Sequence, residues 1–168
     1  DNCSYTQYGT ALDASATDNC SIASLEHNYA GAPDHETLDG AEFPLGNTVV
    51  RWKARDEGGN YSICTFVVNV VDDDEPTVQA CPQNIVKNND PNLCGAVVNY
   101  SVLFGDNCGG NNLPGTLIQG LPTGSAFPIG TTQVVYNYND PSGNGPAVCA
   151  FTVKVNDTQL PQINCPVN

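Results

Sequence analysis

Apolar and polar side chains alternate strictly in three stretches of the chain. Val50, Trp52 and Ala54 interleave with Arg51, Lys53 and Arg55. Cys149, Phe151, Val153 and Val155 interleave with Ala150, Thr152 and Lys154, and Cys94, Ala96, Val98 and Tyr100 form a third row. A period of two predicts β-strands with one buried and one wet face. Turn signals separate the rows: Glu57-Gly58-Gly59-Asn60, Asn88-Asn89-Asp90-Pro91-Asn92 and Pro141-Ser142-Gly143-Asn144-Gly145-Pro146. No stretch carries a helical period with caps.

The strands belong to a repeat. Asp18-Asn19-Cys20 returns as Asp106-Asn107-Cys108, Phe43-Pro44-Leu45-Gly46 as Phe127-Pro128-Ile129-Gly130, and Cys81-Pro82 as Cys165-Pro166. Cys64-Thr65-Phe66-Val67-Val68 returns as Cys149-Ala150-Phe151-Thr152-Val153, and the offsets cluster at 84 to 88 positions. Such a period means copies of one folding unit. The expected boundaries are a first unit at 1–71 whose opening strand is cut away, a complete second unit at 72–156, and the start of a third at 157–168. Several short strands in roughly 85 residues predict an all-β chain of tandem Ig-like sandwiches.

Composition narrows the chemistry. Five Lys plus Arg stand against 18 Asp plus Glu, a formal net charge of −13. Such a surface repels nucleic acid and anionic membranes, which clustered Lys and Arg would bind. The chain has no Met and no apolar run long enough to span a bilayer, so the expectation is an excised piece with any targeting or anchoring segment elsewhere. Eight cysteines without CxxC spacing favour disulfides in an oxidising compartment over zinc. In an Ig-like sandwich the first and last strands start at one end, which pairs Cys81 with Cys149 and closes a loop worth about 4 kcal/mol. Cys94 would then pair with Cys108 (about 3 kcal/mol) and, by repeat, Cys3 with Cys20. Cys64 and Cys165 would find partners outside the chain. The competing set is Cys81–Cys108 with Cys94–Cys149, because order along the chain does not decide connectivity.

The second unit reads CPQNIVKNNDPNLCGAVVNY, GDNC, then GLPTGSAFPIGTTQVVYNYNDPSGNGPAVCAFTVKVND before a new Cys-Pro; the first carries DNC and FPLGNTVVRWKARDEGGNYSICTFVVNVVDD. This whole-domain pattern resembles the hyalin-repeat (HYR) family. The resemblance implies an Ig-like fold in extracellular, multi-domain proteins linked to cell adhesion, and no catalytic residues. The tandem four-cysteine form resembles long surface proteins of Bacteroidetes-type bacteria. The first unit departs at SLEHNYAGAPDHETLDGAE, where the second has the neutral NNLPGTLIQGLPTGSA.

Between the units stands Asp72-Asp73-Asp74-Glu75-Pro76. Adjacent carboxylates repel unless solvated or bound to a cation, and Ca²⁺ takes six to eight oxygen ligands. In an Ig-like topology Asp106, Asn107 and Asp140 sit in loops facing this segment, so Ca²⁺ is the expected cofactor. The layout is similar to cadherin junctions. Asp18, Asn19 and Asp56 would be the equivalents in the first unit, and Asp157 would ligate at the following one. The bland alternative is a solvated acidic linker whose proline stops strand pairing.

Other chemistry is weaker. His27 and His35 lie near Glu26, Asp34 and Glu36 without HExxH spacing, and read as exposed loop residues rather than metal ligands. Trp52 reads as core. Arg51, Lys53 and Arg55 form a basic stripe, either solvated or offering an anionic glycan a contact. Asn2, Asn19, Asn60, Asn99 and Asn156 each open an N-x-Ser/Thr triplet. No nucleophile elbow, P-loop or dinucleotide fingerprint is present. The expected function is a non-catalytic extracellular stalk or filament of a cell-surface adhesin, with neighbouring repeats as partners. The alternatives are a ligand-binding adhesin module contacting glycan or protein through residues 22–42, or an accessory module of a secreted enzyme.

Overall fold

The computed structural model describes residues 3–165. The chain divides into two compact units, Asp1–Asp72 and Asp73–Asn168. Both are all-β, and among the described residues no helix is long and apolar enough to cross a membrane.

The first unit holds β1 (Ser4–Thr6), β2 (Ile22–His27), β3 (Glu42–Pro44), β4 (Gly46–Asp56) and β5 (Tyr61–Val70). An antiparallel sheet in the order β2-β4-β5 lies with the small β1-β3 pair around a core of Leu38, Ala41, Phe43, Val50 and Trp52. The alternation in β4 does what a half-buried strand requires: Val50 and Trp52 are buried, while Arg51 and Arg55 are exposed.

The second unit holds β6 (Thr77–Ala80), β7 (Ile85–Asn88), β8 (Gly95–Val98), β9 (Leu103–Asp106), β10 (Gly110–Leu113), β11 (Thr116–Gln119), β12 (Ser125–Pro128), β13 (Gly130–Tyr138) and β14 (Ala147–Asn156). One sheet runs β11-β13-β14-β7, with β7 parallel to β14; β10-β9-β6 and β12-β8 complete the Ig-like sandwich. Cys149, Phe151, Val153 and Val155 of β14 all point into a core shared with Ala96, Val98, Phe104, Phe127 and Val134.

Cys81 and Cys149 are bonded, with Cα atoms 5.6 Å apart. The other two expected pairs are corrected by the structure: Cys20 and Cys94 are exposed free thiols, as are Cys64 and Cys165. The reason is the run of the chain. Cys94 immediately precedes β8, whose Gly95 pairs with Pro128 beside the start of β13. Cys108 follows β9, next to Asp106, at the end where β13 finishes and Asp140 lies. The length of β13, about 25 Å at roughly 3.3 Å per residue, separates those ends. Cys3 lies by Leu45 at the start of β4, and Cys20 by Ile22, which pairs with Asp56 at its finish. Cys3 and Cys108 are each disulfide-bonded. The competing set fails because Cys149 is already bonded to Cys81.

Residues 22–42 are not one divergent loop. They begin as β2 and continue through a folded segment that buries Leu38 and Ala41 completely. Asp13 anchors it, accepting hydrogen bonds from Thr37 Oγ1 and the Leu38 amide, both at 2.7 Å. Tyr29 stacks on Phe43 with ring centroids 4.6 Å apart.

Candidate functional site

The DNC motif makes the same local turn in both units. Asp18 Oδ1 accepts the Cys20 amide at 2.9 Å. Asp106 Oδ1 accepts the Cys108 amide at 2.9 Å and the Gly109 amide at 2.5 Å. A short carboxylate folding back on its own backbone is the usual way Asp organises a turn. In Asp106 this leaves Oδ2 buried with no hydrogen-bond partner. A buried carboxylate oxygen left unmatched is costly.

Asp140, two residues past the end of β13, opens a second repeated turn. Its Oδ1 accepts the amides of Gly143 at 2.6 Å and Asn144 at 2.7 Å, while Asn144 Nδ2 donates to Oδ2 at 2.7 Å. Asp56 is held alike, by the Asn60 amide and Asn60 Nδ2, both at 2.8 Å. Gly143 and Gly59 adopt φ of +97° and +88°, the left-handed values glycine tolerates, so each turn closes over its aspartate.

Asp72, Asp106 and Asp140 converge. One carboxylate oxygen of each lies within 4.8 Å of the others; Asp106 and Asp140 are buried and Asp72 half-buried. Among the described residues this is the one group of three such ligands. Three negative charges at this spacing fit a hard cation that prefers oxygen. Asp73, Asp74 and Glu75 are exposed instead and stand outside the group. Asn107 is also outside it, and donates to Asp74 Oδ2 at 2.8 Å, fastening the lead-in segment to the β9 turn. In the first unit Asp18 and Asp56 line one groove, with Asn19 exposed. Asp157 lies at the opposite end of the second sandwich, beside Asn89 and Cys94, and its Oδ1 accepts the Gln159 amide at 3.1 Å.

His27 corrects the expectation of an exposed loop. It ends β2 opposite Trp52 and is 4% exposed, its ring edge-on to the indole with centroids 4.9 Å apart. Nε2 lies 3.0 Å from the Thr37 carbonyl oxygen and Nδ1 accepts the Tyr29 amide at 3.1 Å, so both ring nitrogens are used within the fold. Trp52 is core, 1% exposed, its indole N–H donating to the Leu12 carbonyl at 3.3 Å. In the basic stripe, Lys53 Nζ sits 4.6 Å above the Tyr61 ring. Asn60 and Asn144 read from the sequence as turn residues, not as the partners that hold Asp56 and Asp140, although the signal was present: each follows its aspartate by four positions.

These turns have a pH signature. Burial pushes Asp140 up, but hydrogen bonds from Asn144, Gly143 and Ser142 outweigh it and hold its carboxyl below the usual range. In Asp56 the largest influence is the Asn60 side chain, and the balance is again downward. A carboxylate depressed on folding adds stability above its unfolded pKa, near 4, and loses it as pH falls through the lower folded value. Melting temperature should therefore hold through neutral pH and drop below about pH 4. Asn144→Ala, which removes a donor to Asp140, should make that acid limb shallower; an unchanged limb in a pH series of melts refutes the assignment.

The HYR domain family matches this chain twice, over residues 15–70 and 71–155. Hyalin of Strongylocentrotus purpuratus is 38% identical over 158 residues, 91% of this chain and 12% of that protein. Hyalin of Lytechinus variegatus is 36% identical over 127 residues, 73% of the chain and 23% of that protein. The sushi, von Willebrand factor type A, EGF and pentraxin domain-containing protein 1 of Mus musculus is 31% identical over 106 residues, 61% of the chain and 3% of that protein. The chain thus spans less than a quarter of either hyalin, and these relatives are animal proteins, which do not carry the bacterial subtype. With two family matches laid over two β-sandwich units, the chain belongs to the HYR domain family.

Proposed function

We propose that this chain is a non-catalytic, extracellular repeat segment of a cell-surface adhesive protein, serving as stalk or filament, and that Ca²⁺ stiffens it. The matched relatives are far longer than this chain, as a repeat within a larger protein requires. The observation that carries the calcium reading is the buried, unmatched Oδ2 of Asp106 beside the carboxylates of Asp72 and Asp140. Ca²⁺ would take one oxygen from each and complete its shell with water or backbone carbonyls. Mg²⁺ demands a tighter octahedron and surrenders its water reluctantly, so it fits a site of partly fixed side chains less well. Binding would pin the acidic lead-in onto the sandwich it enters and replace repulsion among three carboxylates by attraction to one ion. Repeats joined through such segments would then resist bending.

The test is a calorimetric titration with Ca²⁺, paired with melts in Ca²⁺ and in chelator. At a hundredfold excess over Kd, Ca²⁺ should add about 2.7 kcal/mol, which is several degrees in Tm. Asp106→Asn keeps the oxygen that accepts the Cys108 and Gly109 amides and alters only the unmatched one. It should abolish calcium binding while leaving the melt in chelator unchanged or slightly raised. No heat of binding for the unaltered chain, with identical melts in Ca²⁺ and chelator, would sink the calcium reading.

A further inference from the structure

Three of the chain's five Lys and Arg stand on one face of one strand. Arg51, Lys53 and Arg55 alternate on β4 with Val50 and Trp52, which are buried, and Ala54, which is half-buried, so all three cations leave the sheet on its outer side. Successive members are two residues apart, a step of about 6.8 Å. β4 is the central strand of its sheet, with β2 hydrogen-bonded on one side and β5 on the other. Trp52 stands opposite Cys64 as Tyr136 stands opposite Cys149, which aligns the two units. The matching positions in the second unit are Val135, Asn137 and Asn139, all uncharged, so the fold itself does not require the stripe.

The stripe is not neutralised from within. The chain carries 18 Asp plus Glu, yet Arg51, Lys53 and Arg55 make no ion pair, whereas Lys87 makes one with Asp90 at 3.0 Å. Of the residues in β2, β4 and β5, Glu26 is the one carboxylate on that face, directly opposite Lys53. Lys53 sits instead over the Tyr61 ring. Tyr61 and Ile63, 60% and 42% exposed, flank the stripe on β5 opposite Arg55 and Lys53. Like charges at this spacing repel one another, and a bound anion would reverse that repulsion.

We infer that this face binds a linear acidic polysaccharide. Successive sulfate or carboxylate groups would meet Arg51, Lys53 and Arg55, and a sugar ring would rest on Tyr61 and Ile63. Guanidinium groups fork onto such oxyanions through paired N–H donors. The C–H side of a sugar ring is apolar and suits an open tyrosine and isoleucine. Both edges of β4 are already paired, so a peptide cannot join it as a strand, and contact runs through side chains alone. The net charge of −13 disfavours a polyanion elsewhere on the chain and confines it to this stripe. The site is separate from the carboxylate group of Asp72, Asp106 and Asp140 and needs no calcium.

The experiment passes the full 168-residue chain, in chelator, over immobilised dextran sulfate, polygalacturonate and neutral dextran and reads surface plasmon resonance. Binding is expected to one or both acidic polymers, the stronger of the two naming the oxyanion, and not to neutral dextran. Raising NaCl from 50 to 200 mM should weaken it roughly tenfold, as contact through three cations requires. Arg51→Gln combined with Arg55→Gln should lower affinity at least tenfold with an unchanged melting temperature. Glu26→Gln should tighten binding, and Lys154→Gln, which removes an exposed cation on β14, should leave it within twofold. Three results would overturn the proposal: no binding to either acidic polymer at the lower salt; an equal loss in Lys154→Gln; or tighter binding to polyglutamate or a single-stranded oligonucleotide, which would make the partner an acidic protein or a nucleic acid.

Discussion

Replacing Cys81 and Cys149 together by alanine should destabilise the second sandwich by about 4 kcal/mol. The bond joins residues 68 apart in sequence, and closing a loop of that length removes much of the freedom of the unfolded chain. The native side of the balance changes less. Cys149 is buried among apolar side chains and alanine fills most of its place, so the cost is carried chiefly by the unfolded state. For a unit this size, with roughly 5–10 kcal/mol of total stability, a loss of this order removes much of the margin. Urea denaturation followed by circular dichroism would read it as a lower midpoint for the second unit. The single variants should cost at least as much, since each leaves a lone thiol; a double variant within 1 kcal/mol of the parent would show the bond to be dispensable.

That cystine was legible in the sequence for the same reason that the strands were. Period-two rows place Phe151, Val153 and Val155 on one face, and the repeat sets Cys81 between β6 and β7 and Cys149 near the start of β14, the strand that β7 joins in parallel. Both are local facts. Cys94 and Cys20 were not legible, because their reach depends on which end of the sandwich they occupy. The residues between Cys94 and Cys108 climb the whole sandwich rather than turning back, and spacing alone cannot distinguish those paths. His27 failed similarly: acidic neighbours in sequence suggested a loop, whereas the β2–β4 register sets it against Trp52. Leu38 and Ala41 are lone apolar residues in a polar stretch, too few to show a period, yet they plug the core.

The candidate cation site divides along the same line. The repeat of Asp-Asn-Cys and of the late-loop aspartate marked Asp106 and Asp140 as structurally equivalent to Asp18 and Asp56. The acidic run itself gave no basis for choosing among four carboxylates. An extended backbone turns successive side chains to opposite sides, so Asp72 faces the group while Asp73 remains exposed. The sequence reading treated the run as one ligand cluster, and the backbone geometry admits only one of its members to the group.

Trp52→Ala should unfold the first unit at physiological temperature, a loss of roughly 3–5 kcal/mol. Trp52 is the largest fully buried side chain and sits at the centre of a core with only four other fully buried hydrophobic residues. It also supports His27 edge-on, and through it the Thr37 region that carries Leu38. Removing the indole opens a cavity that β4 and β5 cannot close, because their long hairpin ladder holds them in register from Gly46–Val70 to Arg55–Tyr61. Phe66, Val68 and Val70 of β5 are only half-buried against this core, and its fully buried set is smaller than that of the second unit, so its reserve is smaller. Trp52→Phe separates packing from polarity: it keeps most of the volume, loses the hydrogen bond to the Leu12 carbonyl, and should cost about 1–2 kcal/mol. Hydrogen exchange of the β4 and β5 amides would read both variants without relying on the single tryptophan. Full protection in Trp52→Ala would mean that the first unit is held together by something other than this core.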